Sequence, residues 1–429
     1  MPVIFIDNVD QLSPEYQRQI FLLAQRVTRL VGSISVVALR EESYYTASVK
    51  KTFTAYSSRK FHIAPPHFRK MIGYRIGYAI RMLQKRDGES PLSDEEKQKR
   101  ESIGNFLKIV QQGILNNSKI GRFIKAICYG NMRAALEMFA TFVTSGATDV
   151  GKMLKIYDRD GDYNVAFHEF VKATMLKERQ YYKEEQSPIA NMFNVGSEKN
   201  SSHFTAWRII LALMAHRGQS TPEGTGYVEL SRLIYEFESL FDNVEDFLST
   251  INRLVSRHLV ETNTRSTESV KGASHVRVTS AGWYYTRHLV KAFAYLDLVL
   301  QDTPLDDAKL EKQLRESVYQ VNNLIDKDAS KVDRVRARFA RVDLFLEYLI
   351  KQEQAERDVF GLPMSDSPIA QPIVDSIKAE YEQEKEWIDR RLRENREKYR
   401  EESLSNTYDE EAELLGVLDE EDDEDTNGT

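Results

Sequence analysis

Met1-Pro-Val-Ile-Phe-Ile-Asp-Asn-Val-Asp10 opens the chain and sets the reading of its fold. Val3 to Ile6 is a short, wholly apolar run, the pattern of a strand buried on both faces of a parallel sheet. It delivers a carboxylate, Asp7, at its end, with Asn8 and Asp10 just beyond. Ser13-Pro14-Glu15 then starts a helix: a capping hydroxyl, a proline at the first helical position and an acid. Ile20, Leu23, Ala24, Val27 and Leu30 continue it at helical spacing. A second apolar run, Ile34 to Leu39, ends in Arg40-Glu41-Glu42. A third short strand is expected over Lys60 to Ile63, stopped by Pro65-Pro66. Strand, helix, strand, loop, strand is half of a parallel α/β module, bounded here at residues 1–65.

The rest of the chain reads as mainly α. Residues 66–145 are helical, residues 146–202 a mixed helical and turn connector, and residues 291–355 helical again. Between them, residues 203–290 read helix, helix, helix, strand, polar loop, strand, helix. The third of these helices is Val244 to Arg257, and the strands are Leu259 to Asn263 and His275 to Thr279. Residues 356–404 hold a proline-bearing linker and a charged helix from about Ile373 to Glu402. Its thin apolar stripe (Ile373, Ile377, Trp387, Ile388, Leu392) predicts a helix that projects from the body for docking or assembly. Residues 405–429 are an acidic tail, expected to be disordered because acids without apolar partners do not offset chain entropy.

Composition narrows the class. The chain has 429 residues, 41% hydrophobic and 29% charged, which suits a multidomain globular protein. No apolar run is long enough to span a bilayer, and the opening apolar run is too short for a signal peptide, so no membrane partner is expected. Cys128 is the only cysteine, so an internal disulfide is excluded and a reducing cytoplasm is the expected setting. The net charge of -7 is uneven: Asp409 to Asp425 carries eleven acids and no base, leaving the body near neutral.

Three stretches resemble, in order, the nucleotide site of AAA+ and STAND-type P-loop ATPases. The strand ending in Asp7, Asn8 and Asp10 resembles a Walker B strand, and the resemblance makes Asp7 a magnesium carboxylate acting through water. Arg40, at the end of the second strand, resembles a sensor arginine. Gly130-Asn131-Met132-Arg133 resembles the start of a lid helix whose Asn131 and Arg133 sense nucleotide, a guanidinium fork matching phosphate oxygens. Asn8 stands where many relatives have a second acid; an amide positions water but takes no proton, which implies slow or absent hydrolysis. The phosphate cradle is missing from its usual upstream place. Gly146-Ala-Thr-Asp-Val-Gly151-Lys152-Met153 approaches the motif but puts methionine where a hydroxyl is required. The expectation is an N-terminally truncated module, so ATP and Mg2+ are cofactors only once a P-loop segment or a partner chain is restored. Whether the chain is an enzyme stays open.

Residues 203–290 resemble a winged helix-turn-helix domain, ending in Arg277-x-Thr279-x-x-Gly282-x-x-Tyr285. DNA is then a candidate partner through Arg253, Arg257, Arg265 and Lys271, although Glu245, Asp246 and Glu268 dilute the basic stripe and a hinge role competes. Asp158 to Glu169 has the acid spacing of a calcium loop, but Tyr163 occupies the turn position that wants glycine, which disfavours calcium. The functional expectation is a nucleotide-dependent regulatory switch; the alternative is a non-catalytic winged-helix adaptor for DNA or a protein.

Overall fold

The computed structural model describes residues 1–39, 59–61, 63–64, 66–85, 93–128, 130–145, 150–161, 163–196, 201–241, 243–326, 331–361, 368–386, 390 and 393. The chain is mainly helical, with small sheets. None of the described helices is long and apolar enough to cross a membrane.

The first unit is β1 (Val3–Ile6), α1 (Pro14–Val31) and β2 (Ile34–Val37). The strands pair in parallel, Val3 against Ile34 through Ile6 against Val37. Pro14 starts α1, but the Ser13 hydroxyl expected to cap it makes no cap bond; only the Ser13 carbonyl accepts, from the Gln17 amide. Gly32 ends the helix at φ 62, a left-handed position that suits glycine. Helix α1 covers one face of the pair, with Ser35 Oγ donating to the Ala24 carbonyl. The other face is bare: Val3 is 51% and Phe5 76% exposed, with Ile34 and Val36 beside them. Leu23 and Leu30, placed on the α1 core stripe by spacing, also face outward. The strand expected at Lys60 to Ile63 does not form: Lys60, Phe61 and Ile63 have no regular structure, and both apolar side chains are exposed. Among the described residues this sheet consists of β1 and β2, with no third strand paired to either.

The principal core begins at Phe68 and excludes the first unit, whose buried apolar residues are Val9, Phe21 and Ala24. Six helices build its first part: α2 (Phe68–Lys85), α3 (Asp94–Asn116), α4 (Ser118–Ile127), α5 (Met132–Thr144), α6 (Val150–Asp160) and α7 (Phe167–Leu176). Ser93 and Glu96 form a reciprocal capping box at the start of α3. Phe123 of α4 meets Phe167 and Phe170 edge-on.

The second part runs α8 (Thr205–Ala215), β3 (Ser220–Thr221), β4 (Gly224–Thr225), β5 (Val228–Glu229), α9 (Leu230–Phe241), α10 (Val244–Ser256), β6 (Val260–Thr262), β7 (His275–Val278) and α11 (Ser280–Arg287). β7 lies between β5 and β6, antiparallel to both. Gly282 lets α11 close onto this sheet: a Cβ there would lie 2.3 Å from the Leu259 carbonyl oxygen. Phe123 also packs on Tyr284, so both parts share one core.

α12 (Phe293–Val299), α13 (Ala308–Asp326) and α14 (Lys331–Phe360) follow. Asp297, buried on α12, takes a two-pronged contact from Arg338 (2.8 and 2.7 Å) and another from Arg341. The last described helix, α15 (residues 371–386), corrects the expectation of a projecting arm. Ile369, Ala370, Ile373, Val374 and Ile377 are buried in the principal core. Glu353 of α14 accepts from the Ile369 and Ala370 amides at 2.7 and 2.8 Å, and Glu380 accepts from the Phe293 amide. A five-residue apolar patch suffices to dock a short helix when a carboxylate also satisfies the amides that lead into it. Trp387, Ile388, Leu392 and the acidic tail lie outside the described residues.

Candidate functional site

Asp7 sits at the carboxyl end of β1 and is exposed. Its Oδ1 accepts from the Asn8 amide at 2.8 Å. Asn8 is left-handed, at φ 59, a conformation that asparagine tolerates. It turns the chain into a short 3-10 turn, Val9–Gln11, that half-buries Asp10. An exposed carboxylate with one oxygen already oriented is chemically suited to a water-mediated magnesium contact. Among the described residues no cluster of three or more histidine, cysteine or acidic groups gathers to hold a metal directly.

Arg40 lies outside the described residues. Asn131 caps α5, its Oδ1 accepting from the Arg133 and Ala134 amides at 3.1 Å each. Its side chain is thereby committed to the helix end. Arg133 projects from the first turn of α5 into solvent. Asp7 belongs to the first unit and Arg133 to the helical part, and no hydrogen bond or ion pair joins them among the described residues. In the near-match to a phosphate loop, Gly146 to Asp149 lie outside the described residues, while Val150 already begins α6 and Met153 is buried. At the calcium-like loop, Tyr163 Oη donates toward Glu169, 3.4 Å from each carboxylate oxygen, and Asp158 lies within α6.

The arginines expected to meet DNA are turned inward. The segment of residues 181–194 is almost free of regular structure yet threads the principal core, with Tyr182, Ile189, Met192 and Phe193 buried. Arg253 Nη1 donates to Glu184 Oε1 and to the Asn191 carbonyl, both at 2.9 Å, and Nη2 reaches the Asn194 carbonyl at 3.4 Å. Arg257 donates to the Ser187 and Glu184 carbonyls at 2.8 and 2.6 Å. Both forks are filled by the chain itself, which leaves them unsuited to a phosphate backbone. Tyr285 Oη and Tyr295 Oη accept from the Ala190 and Met192 amides, each at 2.8 Å. A buried irregular segment must satisfy its backbone groups somewhere; here arginine and tyrosine side chains do so. Burial raises the Tyr285 and Tyr295 phenols above the usual tyrosine range, so both stay protonated, and Tyr295 Oη also donates to the Ala190 carbonyl at 2.8 Å.

On the polar loop between β6 and β7, Arg265 pairs with buried Glu261 at 2.5 Å. Arg277 meets the same carboxylate at 2.6 Å, and the Tyr227 hydroxyl donates to it at 2.8 Å. Lys271, of the four basic residues singled out, is the one that stands exposed on the loop. Sequence reading missed Glu184, Asp297 and Tyr295, and the hydrogen-bonding role of Tyr285, because their partners are distant in sequence and follow no short spacing. No family model, no curated protein and no solved structure matches the chain.

Proposed function

We propose that this chain is the part of an AAA+/STAND-like ATPase that lies beyond the phosphate cradle. It acts as a nucleotide-dependent regulatory switch and does not hydrolyse ATP by itself. The observation that carries this reading is the parallel pair β1–β2, with Asp7 at its carboxyl end and an uncovered apolar face. Parallel sheets are ordinarily covered on both faces. A strand, loop and helix bearing the cradle would cover Val3, Phe5, Ile34 and Val36 and bring triphosphate to Asp7. With Mg-ATP bound, Asp7 would hold the metal through water, Asn8 would position water without accepting its proton, and Arg40 and Arg133 would read phosphate. When bound, Mg-ATP would supply the phosphate charge that holds the arginines, and its absence would leave them free.

In the same reading residues 203–290 form a winged helix that serves as a hinge. The inward forks of Arg253 and Arg257 support this over a DNA-reading role. The second reading, a non-catalytic winged-helix adaptor, then concerns a protein partner rather than DNA.

A fluorescent ATP analogue tests the proposal. The 429-residue chain alone should bind it weakly or not at all. Fusion to a strand–loop–helix segment with a glycine-rich Lys-Ser/Thr loop should create magnesium-dependent binding that Asp7→Ala removes. Hydrolysis by the 429-residue chain at an ordinary enzymatic rate overturns the proposal. A folded fusion that still fails to bind favours the adaptor.

A further inference from the structure

With Arg253 and Arg257 committed inward, α2 carries a set of outward cations with no acid on the same helix. Its 18 residues contain Arg69, Lys70, Arg75, Arg81 and Lys85, and no acid. The apolar face of α2 is already used, since Phe68, Ile72 and Ile76 are buried in the principal core. Arg69 is used too: it lies against Gly121 and donates to the Asn117 carbonyl. At about 100° per residue, Lys70, Tyr74, Tyr78 and Arg81 fall on the opposite face, with Arg75 and Met82 at its margin. Tyr74 is 75% exposed and Tyr78 60%. Lys70, Arg75 and Arg81 are exposed and form no ion pair among the described residues. The adjacent α3 does not neutralise them, because its acids Asp94, Glu95, Glu96 and Glu101 are matched by Lys97, Lys99, Arg100 and Lys108. Gly77 leaves open surface beside the tyrosines, bounded by Arg81, whose Nη1 lies 3.7 Å from where a Cβ would stand.

The geometry points to a binding surface for single-stranded nucleic acid on the outer face of α2, with bases stacked on Tyr74 and Tyr78 and phosphates held by Lys70, Arg75 and Arg81. Aromatic platforms alternating with cations are what a sequence-tolerant single-strand site requires. Residues four apart on a helix rise about 6 Å, wider than the roughly 3.4 Å step of stacked bases. Each tyrosine therefore takes one base from a splayed strand, which a duplex does not offer. A membrane surface fits less well, because the apolar face that would enter lipid is spent in the core. This surface is independent of the nucleotide-switch reading and survives its failure.

Fluorescence anisotropy on the full chain, with a labelled oligo(dT) of about 20 nucleotides and a duplex of equal length, tests it. The single strand should bind at least about tenfold more tightly than the duplex. Tyr74→Ala with Tyr78→Ala should weaken binding about tenfold or more, whereas the two phenylalanine replacements should retain it. Arg75→Glu with Arg81→Glu should remove it, and log affinity should fall with log salt at a slope of about −2, the value for three phosphate contacts. These side chains are exposed, so an unchanged thermal midpoint confirms that each variant is folded. No binding at about 50 mM salt, equal affinity for duplex, or binding indifferent to these changes overturns the proposal. So does Tyr74-dependent sedimentation with phosphatidylserine vesicles.

Discussion

Replacing Arg253 by alanine separates a structural role from a DNA-contacting one. Its guanidinium makes two 2.9 Å bonds, one to a carboxylate that is only 4% exposed, and a third longer bond to a carbonyl. Removing one partner of a fully buried pair costs about 3–5 kcal/mol, and a charge-assisted hydrogen bond contributes about 1.5–3 kcal/mol. The arginine side chain is itself 23% exposed, so water recovers part of the loss. The balance is a destabilisation of about 3 kcal/mol. With a urea slope of about 3 kcal/mol/M, the midpoint should fall by about 1 M. Trp207 and Trp283 lie in this region and report the transition by fluorescence, best read with Trp387 replaced by phenylalanine. A double-mutant cycle with Glu184→Gln should show coupling of about 1 kcal/mol or more. If Arg253→Ala moves the midpoint by less than about 0.2 M while lowering DNA affinity, the inward assignment is wrong.

Three further outcomes are expected. His203, buried, has Nδ1 facing the Phe193 carbonyl at 2.7 Å and Nε2 facing the Tyr348 hydroxyl at 2.9 Å. Burial lowers its pKa below the usual 6.5. The unfolded chain therefore takes up the proton first, and stability held above that pH is lost as pH falls through it toward the folded-state value; His203→Gln should flatten this slope in urea midpoints, and an unchanged slope would refute the assignment. Gly282→Ala places a methyl 2.3 Å from a backbone oxygen and should cost about 2 kcal/mol, read from the same transition. The Cys128 thiol, pushed up to about 12 by burial, should resist an aromatic disulfide reagent at mild pH and react fully in urea; rapid reaction in the native chain would contradict its placement.

Elements whose cause is local were legible in the sequence. Pro14 at the first position of α1 is a short-range steric fact and stands in the structure, although the Ser13 hydroxyl expected to cap the helix makes no cap bond. Helix α10, expected over Val244 to Arg257, spans Val244–Ser256 with Asn243 as its cap. Strands β6 and β7 fall within the runs expected for them. Legibility ended where the deciding partner is remote. Phe61 and Ile63 read as strand by composition, but pairing depends on a neighbour that local sequence does not encode. Arg253 and Arg257, one helical turn apart, have the spacing of a phosphate-binding stripe. Their direction is set by Glu184, 69 residues upstream of Arg253. Ile373 and Ile377 looked too sparse to dock a helix; the amides satisfied by Glu353 make up what the apolar stripe lacks. Of the residues proposed to meet nucleotide, the sequence located Asp7 at a strand end and Asn131 at a helix start, as the structure has them. It carried no information on their separation in space.

The threaded segment of residues 181–194 bears on how the chain is made. Its amides at Ala190 and Met192 rely on Tyr285 and Tyr295, 95 and 103 residues later. Synthesis at about 5–20 residues per second puts those tyrosines some 5–20 s behind it. During that interval Ile189, Met192 and Phe193 have left the ribosome without the surroundings that will enclose them. Helices α2 to α7 can pair locally in the meantime, but the core they share with α11 waits for residues near the end of this stretch. A nascent chain stalled before Tyr295 would therefore be a substrate for chaperones and proteases rather than a shorter working protein, and the same dependence places the commitment to the native state late in translation.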